Sequence, residues 1–195
     1  MTANTLNYGG VYKIEMARAS FNDEKEKFQF IRKCVNLCRQ TPEYKDWVRY
    51  VKDTLGYKTC LITGETSDEV TVEIHHHPLT IFDITNVILS TYLDSGKKFT
   101  SMSIMNDVMT LHYNNKVGFI PLCTTWHEKY HNGYAVIPPK FIYGEWDYLL
   151  KTPGYSQIPD LIDKCKELMD EANNAYDNEA NNWKTITEGG ILNDE

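Results

Sequence analysis

The sequence predicts an α+β fold: a small antiparallel pair of strands and a short helix, with further helices before, between and after them. Three observations lead there. Thr71-Val-Glu-Ile-His-His-His-Pro78 alternates apolar and polar residues up to His75, as a half-buried strand does. Gly118 to Gly133 reads as a strand, Phe119 to Cys123, running into a short helix. Most of the remaining pattern repeats at helical spacing. The 195 residues suit one domain, 1–195, in three parts. These are an N-terminal helical region (1–56), a core (57–133) with a helical insertion (79–117), and a C-terminal part (134–195). The last comprises an aromatic segment, a helix and an acidic tail.

In chain order, Tyr12 to Met16 reads as a short strand. Asn22 or Asp23 caps a helix through about Arg39, with Phe28, Ile31, Val35 and Cys38 as its inward stripe. Thr41-Pro42 opens a second helix that Gly56 ends. Its inward residues are Tyr44, Trp47, Val48, Val51 and Leu55. Lys45, Arg49 and Lys52 on its outer face are either a phosphate-contacting stripe or a solvated surface. Cys60 to Ile62 and Thr71 to His76 read as strands joined by the polar turn Gly64 to Asp68. The forty-one residues between His76 and Gly118 exceed a hairpin loop and read as two helices. Asp83 caps the first, through Tyr92, and Ser95-Gly96 turns the chain. Thr100 starts the second, with Met102, Met105, Val108 and Met109 as core, and His112 ends it as a structural residue away from the other histidines.

Thr125 is a good cap for the helix after Cys123, and Glu128 completes a capping box. Asn132-Gly133 supplies the stop. His127 and His131 stand four residues apart on that helix, so both imidazoles leave one face. Five of the six histidines fall in these two short strings. Strand and helix together make a small metal cradle. Farther on, the aromatics between Tyr134 and Tyr148 pack across the core, around Pro138-Pro139 and Gly144. Pro159 opens a helix with Leu161, Cys165, Leu168 and Ala172 on one face, which packs on the body or forms a homodimer with a second subunit. From about Asn178 the chain is an acidic, Asn-rich tail.

Val72-Glu-Ile-His-His76 followed by Pro-Leu-Cys-x-x-Trp-His-x-x-x-His131 resembles the His-Asn-His (ββα-metal) endonuclease family. Tyr44-x-x-Trp47-x-x-x-Val51 and Gly56-Tyr-x-x-Cys60-x-x-x-Gly64 resemble the helix and knuckle that precede that motif, so the resemblance covers residues 44 to 133. It implies that His75, His127 and His131 are metal ligands, that His76 is the general base, and that Glu73 orients an active-site group. Two departures stand out. The middle Asn of the family falls on Gly118, with Asn114 and Asn115 just upstream. The zinc knuckle of many relatives is incomplete: Cys60 pairs with Thr63, and Cys123 with Trp126. Two thiolates do not close a four-ligand site. Cys34 and Cys38 share a helical face and would have to supply the rest, and packed thiols are the expectation.

A nitrogen-only donor set favours one divalent ion of Zn, Ni, Co or Mn over Mg, which prefers oxygen. The expected activity is metal-dependent endonucleolytic hydrolysis of DNA. The alternative is a catalytically reduced fold that binds nucleic acid or protein without cutting. Phage DNA processing, restriction and a nuclease toxin are all contexts for it, and the compact, Asn-rich chain fits a phage. Net charge is −7, but it is spread unevenly: +4 over residues 1–60, −3 over 61–140 and −8 over 141–195. A basic front is thus compatible with a phosphate-binding surface. No apolar run approaches membrane-spanning length and the N-terminus lacks signal-peptide regions, so no membrane is expected. Five cysteines without a disulfide pattern point to a reducing, cytoplasmic setting.

Overall fold

The structure, a computed structural model, describes residues 21–177 and the backbones of three short strands before them. β1 (Leu6–Tyr8) pairs antiparallel with β2 (Tyr12–Ile14). β2 and the first residue of β3 (Met16–Ala17) fall within the strand expected from Tyr12 to Met16. The acidic tail from Asn178 falls outside the described residues.

α1 (Glu24–Gln40) begins where Asp23 accepts a hydrogen bond from the Glu26 N–H at 2.8 Å. It buries Ile31, Cys34, Val35 and Cys38. Phe28, expected in that stripe, is instead 48% exposed, resting on Phe82 under the Arg32 guanidinium. α2 (Pro42–Arg49) is capped by Thr41, whose hydroxyl accepts from the Tyr44 N–H. Tyr50–Thr54 continues it as a single wide turn, closed by the Leu55 N–H donating to the Tyr50 carbonyl. The extra residue in that turn rotates Leu55 outward, so it is exposed where the sequence placed it inside.

Cys60 to Ile62 is not a strand. The Cys60 N–H donates to the Glu65 carbonyl and the Gly64 N–H returns to the Cys60 carbonyl, which makes a tight turn. β4 (Val72–His76) follows. α3 (Ile81–Asp94) starts two residues before the expected cap, because Thr80 caps it and Asp83 is the reciprocating third residue of a capping box. β5 (Phe99–Thr100) pairs with β3, and α4 (Ser101–Tyr113) has Thr100 as its cap, as expected. β6 (Phe119–Cys123) pairs antiparallel with β4 in the register His76 to Phe119, His75 to Ile120 and Val72 to Cys123. α5 (Thr124–His131) is entered directly from the strand, with Cys123 in the cap position and no side-chain cap bond. The expected Thr125–Glu128 box does not form. The Thr124 N–H is held instead by the Thr71 carbonyl, so helical backbone begins before Thr125.

After α5 come two short turns of helix at Pro139–Phe141 and Leu149–Lys151, then α6 (Pro153–Ser156) and α7 (Pro159–Asp177). Leu161, Cys165 and Ala172 of α7 are buried on the protein's own body. The β4–β6 pair separates two apolar clusters. On one side α1, α2, α3 and α4 pack around Trp47, Val87, Leu89, Ile104 and Phe119. On the other, Ile62, Ile120, Leu122, Ile137 and Ile142 form a smaller core beneath Trp126 and Tyr130 of α5. Truncating a buried Leu or Ile in either cluster to Ala costs about 2–5 kcal/mol. The described residues thus form an α+β fold in which a two-stranded sheet is clamped between helices. No helix among them is long and apolar enough to cross a membrane.

Candidate metal centre

Successive residues of β4 point to opposite faces, which sorts its histidines. Glu73, His75 and His77 share the face turned to α5. Val72, Ile74 and His76 share the other. Because α5 leaves β6 without a loop and its first N–H is tied to Thr71, the helix lies across β4 with His127 and His131 over His75. The ring centroids are 4.7 Å apart for His75 and His127, 4.9 Å for His75 and His131, and 4.7 Å for His127 and His131. One ligand nitrogen from each lies within 4.8 Å of the others.

The three differ in access. His75 is buried, His127 is half-buried and His131 is exposed, so the cluster opens to solvent along His131. The His75 pKa is pushed down to about 3, first by burial and then by the facing imidazoles of His127, His131 and His77. His131 is also lowered, by burial and by His127. Neutral imidazoles are what a metal ion binds. The Glu73 carboxylate accepts from His127 Nδ1, which leaves the Nε2 lone pair of that ring turned toward His131. His127 Nε2 and His131 Nε2 are 3.0 Å apart. Two nitrogens on one ion, each bound at ~2.0–2.1 Å, stand about this far from each other. Three imidazoles of this spacing fit a borderline transition metal, and a carboxylate on the far nitrogen of one ring is how such ligands are usually held in place.

His77, at the far end of the same face, receives the Tyr130 hydroxyl at Nδ1 at 2.7 Å. Its Nε2 is buried without a hydrogen-bond partner, and burial pushes its pKa down to about 4. Tyr130 also presents its ring to His75, 4.7 Å between centroids.

His76 is not brought to this cluster. It points into the helical core, where its Nε2 is 2.8 Å from His112 Nε2. His112 Nδ1 donates to the Val108 carbonyl at 2.7 Å, which leaves His112 Nε2 as an acceptor and assigns the shared proton to His76. Trp47 stacks on His76 and donates its Nε1–H to the His112 carbonyl. Tyr44 completes the cage. Burial holds His76 well below the ordinary imidazole range and brings His112 down to about 4. His112, read from sequence as remote from the other histidines, is therefore the direct partner of one of them. The available signal was its place four residues after Val108 on the buried face of α4.

The cationic stripe is partly occupied. Arg49 bonds to Asp46 at 2.9 Å, and the Lys52 amine lies against the Val72 carbonyl. Lys45 is exposed. Gly118 has its own explanation. A Cβ there would lie 2.0 Å from the His77 carbonyl oxygen and 2.5 Å from Trp146 Cβ, so no Asn fits while the His77 N–H bonds to the Gly118 carbonyl at 3.0 Å.

No curated protein matches the chain, and no solved structure does. The sequence model of one family, described as bacteriophage G278-like virion protein, matches residues 3–191. That span is nearly the whole chain, and the protein belongs to the G278-like family of phage virion proteins.

Proposed function

We propose that this protein is a metal-dependent endonuclease of the phage, hydrolysing phosphodiester bonds in DNA at a ββα-metal site on β4, β6 and α5. The observation that carries the reading is the convergence of His75, His127 and His131 on one point that is open to solvent on the His131 side. These residues would hold one Zn, Ni, Co or Mn ion, and Glu73 would fix the ring of His127 through Nδ1. A divalent ion bound there supplies the charge that a phosphate and its leaving oxygen need, and lowers the pKa of an attacking water. His76 takes no part as a base in this reading, since its exchangeable proton is shared with His112 behind the sheet. Its role is to seat β4 so that His75 faces α5. Of the expected stripe Lys45, Arg49 and Lys52, Lys45 and Arg49 are both exposed to a phosphate, Arg49 while bonded to Asp46.

The second reading is a virion component that binds DNA or protein without cutting, the metal serving as a clip between β4 and α5. The sealed His76 and the occupied Arg49 and Lys52 favour it. Supercoiled plasmid separates the two. Nicking with Mn²⁺, Ni²⁺, Co²⁺ or Zn²⁺, stopped by EDTA and absent in the His127→Ala/His131→Ala protein, is the expected result. A protein that carries about one ion per chain yet leaves the plasmid supercoiled is the binding component.

A further inference from the structure

The turn carrying Cys60 and the β6–α5 junction carrying Cys123 meet across the smaller core. The Leu61 N–H donates to the Pro121 carbonyl at 2.8 Å, which lashes the turn to β6 two residues before Cys123. Backbone amides lie near each sulfur. Cys60 is approached by the amides of Ile62, Thr63 and Cys123, and Cys123 by that of Trp126. Both thiols are free and buried in the same cluster, near enough for Cys60 to raise Cys123. Thr63 and Trp126 occupy the places where each half-turn would carry a second sulfur. Among the described residues neither cysteine belongs to a group of three side chains able to hold a metal. The two turns thus bring one thiol each to the smaller core.

Two thiols held face to face without a metal are suited to joining to each other. We propose that Cys60 and Cys123 are a reversible disulfide site, closed by a low-molecular-weight disulfide such as oxidised glutathione once the particle leaves a reducing cytoplasm. In the first step the Cys60 sulfur attacks one sulfur of the oxidant and loses its proton to solvent. The oxidant's S–S bond breaks, and the departing thiolate takes up a proton. The Cys123 sulfur then attacks Cys60, forming the internal disulfide, and the second thiol of the oxidant leaves with a proton in the same way. Two cysteine thiols are oxidised by two electrons, one small disulfide is reduced to two thiols, and no net proton is gained or lost.

The roles within the pair follow from their surroundings. Burial alone would raise Cys60, but the Thr63 side chain and the amides around the sulfur outweigh it and bring its pKa down. Burial and the neighbouring Cys60 raise Cys123. Cys60 is therefore the better first nucleophile. Both thiols are buried, so the first step needs a local opening of the turn. The other cysteines are poorer candidates. Cys34 and Cys38 are raised to about 12 by burial, and Cys38 spends its thiol on the Met109 sulfur at 3.4 Å. Cys165 is engaged with Tyr155.

Closing the bond ties the cap position of α5 to the Cys60 turn, and with it the helix that carries His127 and His131. The loop it closes contains β4, α3, α4 and most of β6, so the melting temperature should rise by about 10 °C. The test uses the full chain, reduced, desalted and then incubated with oxidised glutathione. Two of the five thiols should disappear, and a non-reducing digest should yield the Cys60 and Cys123 peptides as one linked species. Dithiothreitol should reverse both changes. Cys60→Ser or Cys123→Ser should each abolish the thermal shift, whereas Cys165→Ser should keep it. Five free thiols after incubation, a glutathione adduct on Cys60 that never resolves, or a link between another pair would each overturn the proposal. Peptide mapping of the unmodified chain decides the matter even where a serine variant fails to fold. Metal content and plasmid nicking play no part in this readout, so its outcome is independent of the nuclease reading.

Discussion

The two faces of β4 carry the same residue type to opposite ends. His75 and His76 are neighbours in sequence, yet one looks toward α5 and the other toward α2 and α4. On the α5 face, three imidazoles crowd together with a carboxylate behind one of them and an opening to water at His131. On the α4 face, two imidazoles share one proton inside a cage of Tyr44 and Trp47, cut off from solvent. Burial is deep for both strand histidines, so burial does not distinguish them. What distinguishes them is whether the neighbouring nitrogens are already satisfied. His76 has a partner that consumes its polar capacity. His75 has neighbours that, like itself, offer ring nitrogens to a shared cation.

That contrast can be broken from either side. The largest effect expected is on metal content. His127→Ala with His131→Ala should remove the ion altogether, and His75→Ala should remove most of it, whereas His76→Ala should keep about one ion per chain by elemental analysis. Loss of the ion in His76→Ala alone would reverse the assignment of the faces. Next comes acid. His76, His77 and His112 are held neutral by burial, with His77 and His112 near 4 and His76 well below the ordinary imidazole range, against an unfolded value near 6.5. Their stability is therefore present in full above about pH 6.5. It is lost as pH falls from there toward the folded values, because the unfolded chain takes up the protons first. Each contributes a slope of about 1.4 kcal/mol per pH unit in that window, or about 4 kcal/mol per pH unit for the three. Chelator-treated protein should lose its urea midpoint steeply between pH 6 and 5; a flat midpoint would mean the cage is already protonated or open.

Third, His76→Ala should cost about 3 kcal/mol in chemical denaturation, from the hollow left beneath Trp47 and the unpartnered His112 nitrogen. His131→Ala, on the exposed end of the other face, should change the stability of metal-free protein by no more than about 0.5 kcal/mol. Equal costs at the two sites would erase the distinction between a packed histidine and a free one. The smallest effect concerns Glu73. Glu73→Gln keeps the shape and removes the charge that steadies His127, so metal affinity should weaken by about 10- to 100-fold while stoichiometry stays at one. Titration calorimetry showing unchanged affinity would leave the carboxylate without a part in the site.

Much of this was legible in the residues. The alternation through Val72 to His75 and the four-residue step from His127 to His131 place three imidazoles on facing surfaces, and the structure has them there. β6 and the cap at Thr100 lie where turn and strand chemistry put them. What escaped depends on contacts between distant segments. Nothing near His76 in sequence indicates His112, because the pair forms only when α4 packs behind β4. The wide turn at Tyr50–Thr54 adds one residue to a helical repeat and turns Leu55 out, and periodicity carries no sign of it. The Cys60 segment has strand-like residues, but Leu61 pairs with Pro121 through a single bond and the chain then turns. Gly118 reads as a lost Asn from sequence alone. In space it is the place where two backbones pass too closely for any side chain.

The β4–β6 pairing has a kinetic side. Glu73 and His127 stand fifty-four positions apart in the chain, and most of the stretch between them is the helical insertion of α3 and α4, which has its own core contacts. Bringing such distant strands together has an entropic cost that only later contacts repay, while α3 and α4 can form from local ones. The order of assembly expected from this topology is helices first, then the sheet, and only after the sheet a point where three imidazoles meet. Metal uptake during refolding should accordingly coincide with the slowest phase, which makes the ion a reporter of the final step of folding.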